Sequence, residues 1–209
     1  NLLSRPKLDK SIKNQSLYEL AKDFFSAGLY DKSEKILLNL NDNKTYQESC
    51  TEYILLIYEL SKDWDSAINF CKNLKSQRIR NISVDEILSH YYCEKAVEYE
   101  KDDQLNKSIT VLKKAIDVNP RCIRALSMLF KLNIPSNQDL ALNYLEELIQ
   151  IDASFIVILS TDILNISAAS QDKKIDERIK NLVLKFSKSE QFSPDLYEFM
   201  FNINDYNSP

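Results

Sequence analysis

The sequence predicts an all-α fold, a right-handed superhelix (α-solenoid) of antiparallel helix pairs, and three observations carry that prediction. The 209 residues include one glycine and five prolines, which leaves few positions for tight β-turns. Residues 16–40, SLYELAKDFFSAGLYDKSEKILLNL, read as a helix, a turn at Gly28 and a second helix. Leu17, Leu20, Ala21 and Phe24 share one helical face, and Tyr30, Ser33, Leu37 and Leu40 share the facing one. The large-then-small pair Tyr30 and Ser33 then recurs as Trp64 and Ala67, Leu105 and Ser108, and Gln138 and Ala141, at steps of 34, 41 and 33 residues.

A helix-turn-helix repeated at a period near 34 is the tetratricopeptide pattern. The longer step implies an insertion of about seven residues, around Gln77 to Ser83. Ser33, Ala67, Ser108 and Ala141 let paired helices approach closely, while Phe24, Tyr58, Tyr99 and Leu132 fill the layer between neighbours. The whole chain, 1–209, is expected to form one elongated domain, because each repeat packs only on its neighbours.

Taken in order, residues 1–15 end a preceding repeat, with Pro6 helping to stop its helix. The 16–46 repeat opens with a Ser16–Glu19 capping box, its helix runs to about Ala27, and Asp31 with Glu34 starts the partner. The 47–82 repeat pairs helix 47–61 with helix 64–77, capped by Asp63 or Asp65, and includes the insertion. In 83–119, Ser83 and Glu86 open a helix reaching about Lys101, followed by a partner at 104–117. In 120–152, Asn119 and Pro120 are N-cap and first-turn residues, Pro135 closes the helix, and Ser136 or Asn137 opens the next, to about Gln150. Residues 153–190 form a degenerate repeat from SFIVILSTDILNI and DERIKNLVLKF, with a looser SAASQDKK loop. Ser193 and Pro194 open a terminal helix at 193–209 with an unpartnered apolar face.

Charge and composition exclude several function classes. A net charge of −4 and a pI near 5.2 give no field to gather phosphate backbones, so nucleic acid is not an expected partner. The basic run Lys72, Lys75, Arg78 and Arg80 and the acidic run Glu98 to Asp103 read as solvated surface. No window of about 18 apolar residues exists, and NLLSRPKLDKS has neither an apolar core nor a cleavage site of a leader. The segment is therefore expected to be soluble, and its abrupt start without Met suggests a piece of a longer protein. Cys50, Cys71, Cys93 and Cys122 each fall inside a predicted helix without a CxxC pair, so they read as small buried residues in a reducing compartment, with no metal site.

His90 is the only histidine, which removes His-based triads and His-rich metal clusters. One glycine removes the Gly-rich phosphate loops. The carboxylates lie on polar helix faces, so the chain is expected to be no enzyme. What remains is surface. The first helix of each repeat should line a protein-binding groove through Tyr18, Lys22, Phe25, Glu52, Leu56, Glu59, His90, Cys93, Val97, Glu100, Leu126 and Phe130. Aromatics among charges suit an extended peptide or a partner helix, although Phe25 and Phe130 equally suit the inter-repeat core. A carboxylate clamp of the co-chaperone kind is incomplete: Lys22 could serve, but Tyr18, Tyr53 and Glu94 occupy other such places.

The runs ELAKDFFSAGLYDKSEKIL, LLIYELSKDWDSAINFCKNL and SHYYCEKAVEYEKDDQLNKSITVLKKAID resemble the middle of the lipopolysaccharide assembly protein B family, including the seven-residue insertion and the HYYCE segment from His90 to Glu94. The resemblance covers residues 1–152, with 153–209 agreeing only in helical pattern. It implies an adaptor with an inner-membrane helix ahead of cytoplasmic-side repeats and a rubredoxin-like metal module behind them, neither present here. Iron or zinc is thus expected only in that absent module, and no cofactor in this segment. It further implies that the adaptor brings the lipid A deacetylase LpxC to the membrane AAA protease FtsH, and that a membrane regulator restrains it. A free cytosolic peptide-binding module, of co-chaperone or assembly-factor type, is the alternative.

Overall fold

The computed structural model of the chain describes residues 9–74, 83–169 and 172–187. The expected helix tail at residues 1–7, most of the insertion (77–82), Lys75, Arg78 and Arg80 of the basic run, and the terminal helix at 193–209 lie outside the described residues. Within them there are eleven helices and no strand: α1 (Lys10–Ser26), α2 (Tyr30–Leu40), α3 (Gln47–Ser61), α4 (Trp64–Leu74), α5 (Val84–Lys101), α6 (Leu105–Val118), α7 (Ile123–Asn133), α8 (Gln138–Ile151), α9 (Phe155–Ile158), α10 (Ser160–Ala169) and α11 (Lys173–Ser187). The chain is all-α and built of tetratricopeptide-type helix pairs. It divides into two compact units, Asn1–Tyr91 and Tyr92–Pro209.

In the first unit α1 packs on α2, α2 on α3, and α3 on α4. In the second, α6 packs on α7 and α7 on α8, while α8 meets α9 and α11 and α10 meets both. The four residues that set the period, Tyr30, Trp64, Leu105 and Gln138, are the first residues of α2, α4, α6 and α8. Three positions on, Ser33, Ala67, Ser108 and Ala141 are all 0% exposed. The Ser33 hydroxyl donates to the Ala21 carbonyl at 2.8 Å, so α1 and α2 cross within reach of one short side chain. Of the four residues assigned to the layer between repeats only Tyr58 is buried. Phe24, Tyr99 and Leu132 are half-buried, and Tyr99 is instead covered by the ammonium groups of Lys95 and Lys107.

The turns inside the first three pairs share one geometry. Gly28, Lys62 and Asp103 adopt φ of 71°, 55° and 57°, each two residues before its second helix. The next amide reaches back five residues: Leu29 to the Phe24 carbonyl at 2.8 Å, Asp63 to Tyr58 at 2.9 Å and Gln104 to Tyr99 at 2.8 Å. This is the Schellman closure, which satisfies carbonyls left over at a helix end. Glycine carries it without strain in the first pair only.

Several expected boundaries move. α1 begins at Lys10 rather than Ser16, because Asp9 accepts the Ser11 amide at 3.1 Å and nothing in 10–15 breaks a helix. Asp63, not Asp65, caps α4 by accepting from the Ser66 amide at 3.0 Å. Asn119 and Pro120 do not start α7. The Asn119 side chain accepts the Arg121 amide at 3.1 Å in a turn, and Cys122 is the N-cap, which takes Cys122 out of the helix it was assigned to. Asn137 caps α8 through the Leu140 amide at 3.0 Å. The helix expected across SFIVILSTDILNI is split at Leu159 into α9 and α10, within a β-branched run of poor helix formers. α11 starts three residues before DERIKNLVLKF, where Asp172 accepts the Lys174 amide at 2.9 Å.

The packing role of the small residues is open to a direct test. Ala67→Leu would force three extra heavy atoms into a site that is 0% exposed, and thermal or urea unfolding should show a loss of about 1–3 kcal/mol. Wild-type stability in that variant would mean that α3 and α4 do not cross there.

Candidate protein-binding surface

The first unit carries a ladder of half-buried aromatic rings drawn alternately from α3 and α1. Tyr46 lies 5.3 Å from Tyr18, Tyr18 is 6.3 Å from Tyr53, Tyr53 is 5.2 Å from Phe25, and Phe25 is 5.6 Å from Tyr30 at the start of α2. Tilted and edge-on ring pairs at these separations are favourable beyond the area they bury. The spacing explains the alternation, since Tyr18 and Phe25, like Tyr46 and Tyr53, are seven residues apart and so lie on one helix face. Leu60 continues the α3 series and is 52% exposed, with Leu56 beside it at 39%. Tyr18 and Phe25, expected as groove aromatics, are therefore both packing and surface. Their partners Tyr46 and Tyr53 lie outside the expected groove set, and their seven-residue spacing is the sequence signal for them.

The charged groups around this ladder are largely engaged. The Lys22 ammonium is 2.7 Å from Glu19 and 5.2 Å from the Tyr18 ring centre. The Glu19 hydrogen bond holds Lys22 protonated above its ordinary range. Burial pushes the Tyr18 phenol up, against a Ser49 hydrogen bond that pulls it down. Glu59, expected in the groove, accepts instead from the Tyr91 hydroxyl at 2.7 Å, and Tyr91 stacks on Trp64 at 6.0 Å between ring centres. Glu34 accepts from the Tyr58 hydroxyl at 2.6 Å. Glu52 and His90 are exposed, with the His90 ring 5.7 Å from that of Tyr91.

In the second unit three expected groove residues are core. Cys93, Leu126 and Phe130 are each 0% exposed. Leu126 and Phe130 lie one turn apart, and they share the buried side of α7 with Ala125 and Leu129. Val97 and Glu100 are half-buried, and Glu100 accepts from the Ser108 hydroxyl at 3.0 Å, so it supports helix packing. Glu94, noted at a clamp position, pairs with Arg124. Arg178 on α11 ties to Glu146 at 2.6 Å and to the Asp139 carbonyl at 3.1 Å, fixing α11 against α8.

Among the described residues no group of three His, Cys, Asp or Glu side chains is placed to hold a metal ion. No described helix is long and apolar enough to cross a membrane.

No family model matches the chain. Over 120 residues, 57% of this chain and 30% of the relative's length, it is 30% identical to lipopolysaccharide assembly protein B of Haemophilus influenzae. Over 114 residues, 54% of this chain and 29% of the relative's length, it is 27% identical to lipopolysaccharide assembly protein B of Escherichia coli strain K12. The likeness to lipopolysaccharide assembly protein B is thus established for just over half of the chain. The matched stretch spans about three tenths of those relatives. A solved thermophilic tetratricopeptide protein from Thermus thermophilus aligns over 91% of this chain and 99% of its own at 14% identity, with a TM-score of 0.36.

The buried phenols and thiols of the first unit make a pH prediction. Burial raises Cys50 to about 11 and Cys71 to about 12, and raises Tyr58 and Tyr91 further, with the glutamate hydrogen bonds adding to burial for both tyrosines. Groups whose folded value exceeds the unfolded one contribute stability that is complete below the unfolded value and lost as pH rises towards the folded one. The unfolded values are 9.0 for cysteine and 10.0 for tyrosine, so the loss belongs above pH 9. Each such group steepens it by up to about 1.4 kcal/mol per pH unit. The melting midpoint should fall from pH 9 to pH 11, less steeply in a Tyr58→Phe, Tyr91→Phe double variant. A flat profile would contradict the burial described.

Proposed function

We propose that this chain is a non-catalytic protein-binding scaffold that serves lipopolysaccharide assembly, as the repeat-bearing part of an adaptor at the cytoplasmic side of the bacterial inner membrane. The observation that carries the reading is the 30% identity over 120 residues to lipopolysaccharide assembly protein B, in a chain whose helix pairs carry half-buried aromatic rings beside the exposed Leu56 and Leu60. Rings with one packed and one open face are anchors that an extended segment or helix can bind at low entropic cost. Leu56 and Leu60, beside the ladder, extend the apolar strip such a segment would cover.

In the finer form of this reading, the adaptor holds the deacetylase LpxC for degradation by the membrane protease FtsH and so limits lipid A synthesis, with a membrane regulator acting on the adaptor. Any iron or zinc would belong to a module outside this segment. The alternative, a cytosolic peptide-binding module of co-chaperone type, is weakened by the incomplete carboxylate clamp, in which Tyr18, Tyr53 and Glu94 stand at other clamp positions and Glu94 pairs with Arg124.

The experiment is depletion of the intact gene product in its own cells, followed by the decay of LpxC after protein synthesis is stopped. LpxC should persist several-fold longer, and capture of the tagged intact protein should recover LpxC or FtsH. A Tyr53→Ala, Leu56→Ala double variant that folds normally should weaken that recovery. Unchanged LpxC decay with neither protein recovered would remove the proteolytic reading.

A further inference from the structure

Cys93 and Cys122 take no part in the surface described above. Cys93 is a fully buried residue of α5, and Cys122 is the half-buried N-cap of α7. Their sulfurs lie 3.8 Å apart across 29 residues of sequence, with no disulfide between them. A neighbouring contact reinforces the juxtaposition, because Glu94, next to Cys93 on α5, pairs with Arg124, two residues after Cys122 on α7. Cys122 also lies in the turn that follows Asn119, with its amide bonded to the Asn119 carbonyl at 2.9 Å. As the N-cap, it joins the α7 ladder only through its carbonyl, which accepts from the Leu126 amide at 3.1 Å, and a disulfide requires the sulfurs to close from 3.8 Å to about 2.05 Å.

We infer that Cys93 and Cys122 form a redox-sensitive dithiol, which low-molecular-weight disulfides of the glutathione type convert to an intramolecular disulfide joining α5 to the turn before α7. Cys122 is the first nucleophile. It is the more accessible of the two, and the positive end of the α7 dipole favours an anion at its position. Its thiolate attacks one sulfur of oxidised glutathione, forming a mixed disulfide and expelling one glutathione thiolate. Cys93 then gives up its proton and attacks the Cys122 sulfur, expelling the second. Two cysteine thiols are oxidised to one disulfide, one glutathione disulfide is reduced to two thiols, and the two protons pass to the departing thiolates. The contact with Cys122, and then burial, push the Cys93 thiol up, which is why it acts second.

The test uses the full chain, reduced and then exposed to oxidised glutathione at about pH 8. It is afterwards unfolded, alkylated and digested without reduction for mass spectrometry. Alkylatable thiols should fall from four to two, with one linked peptide pair containing Cys93 and Cys122, Cys50 and Cys71 alkylated, and full reversal by dithiothreitol. Cys122→Ser should abolish the link and leave Cys93 alkylated, while Cys93→Ala should trap a glutathione adduct on Cys122. A wild-type chain that keeps four alkylatable thiols, stops at the glutathione adduct, or links through Cys50 or Cys71 would overturn the proposal.

Discussion

Close approach of paired helices is the constraint from which the rest of the arrangement follows. It is met by a side chain no larger than serine at the third position after each second helix begins. Ser33, Ala67, Ser108 and Ala141 are all fully enclosed, and the two chemistries solve the same problem differently. Alanine has nothing to satisfy. A buried serine must place its hydroxyl, and both do so on the first helix of their own pair, Ser33 on the Ala21 carbonyl at 2.8 Å and Ser108 on the Glu100 carboxylate at 3.0 Å. The hydrogen bond turns a polar liability into a distance constraint, and it occupies one oxygen of the Glu100 carboxylate.

The same logic separates what the sequence reveals from what it conceals. The period is legible because size is visible in a sequence, and the large residues that open α2, α4, α6 and α8 fall at the first residue of each helix. The turn conformation is legible only at Gly28. Lys62 and Asp103 adopt the same left-handed φ, yet a lysine does not announce it and an aspartate only tolerates it, so their positions two residues before the next helix are the stronger sign. Caps are intermediate. The Ser16–Glu19 pattern is a valid capping signal that loses to Asp9, because a helix continues through any signal that an upstream cap and permissive residues override. Asn119 likewise has the chemistry of a cap but spends it on a turn three residues early.

For the surface, the sequence indicates which helices are exposed more reliably than which side. Leu126 and Phe130 belong to the first helix of a pair, as the groove argument requires, but they lie on its inward stripe and are fully buried. Helical spacing alone does not tell the two apolar stripes of a doubly packed helix apart. The ladder in the first unit was half legible for a related reason. Tyr18 and Phe25 are a conspicuous pair on α1, but their interleaving with Tyr46 and Tyr53 depends on the register between α1 and α3, which is a tertiary quantity.

The ionisable groups bear on whether such a scaffold has chemistry of its own. A catalytic nucleophile or acid is tuned towards neutrality. In the first unit the direction is opposite: burial moves Cys50, Cys71, Tyr58 and Tyr91 away from neutrality and into their protonated forms, and the two glutamates beside the tyrosines accept hydrogen bonds. A thiol held protonated inside a helix pair is an inert packing group. Cys122 differs because it is a cap residue at the edge of the core, with a second thiol 3.8 Å away. That single displacement, from helix interior to helix end, separates a structural cysteine from one that an oxidant can reach, and it arises because Asn119 and Pro120 form a turn where a helix would otherwise have begun.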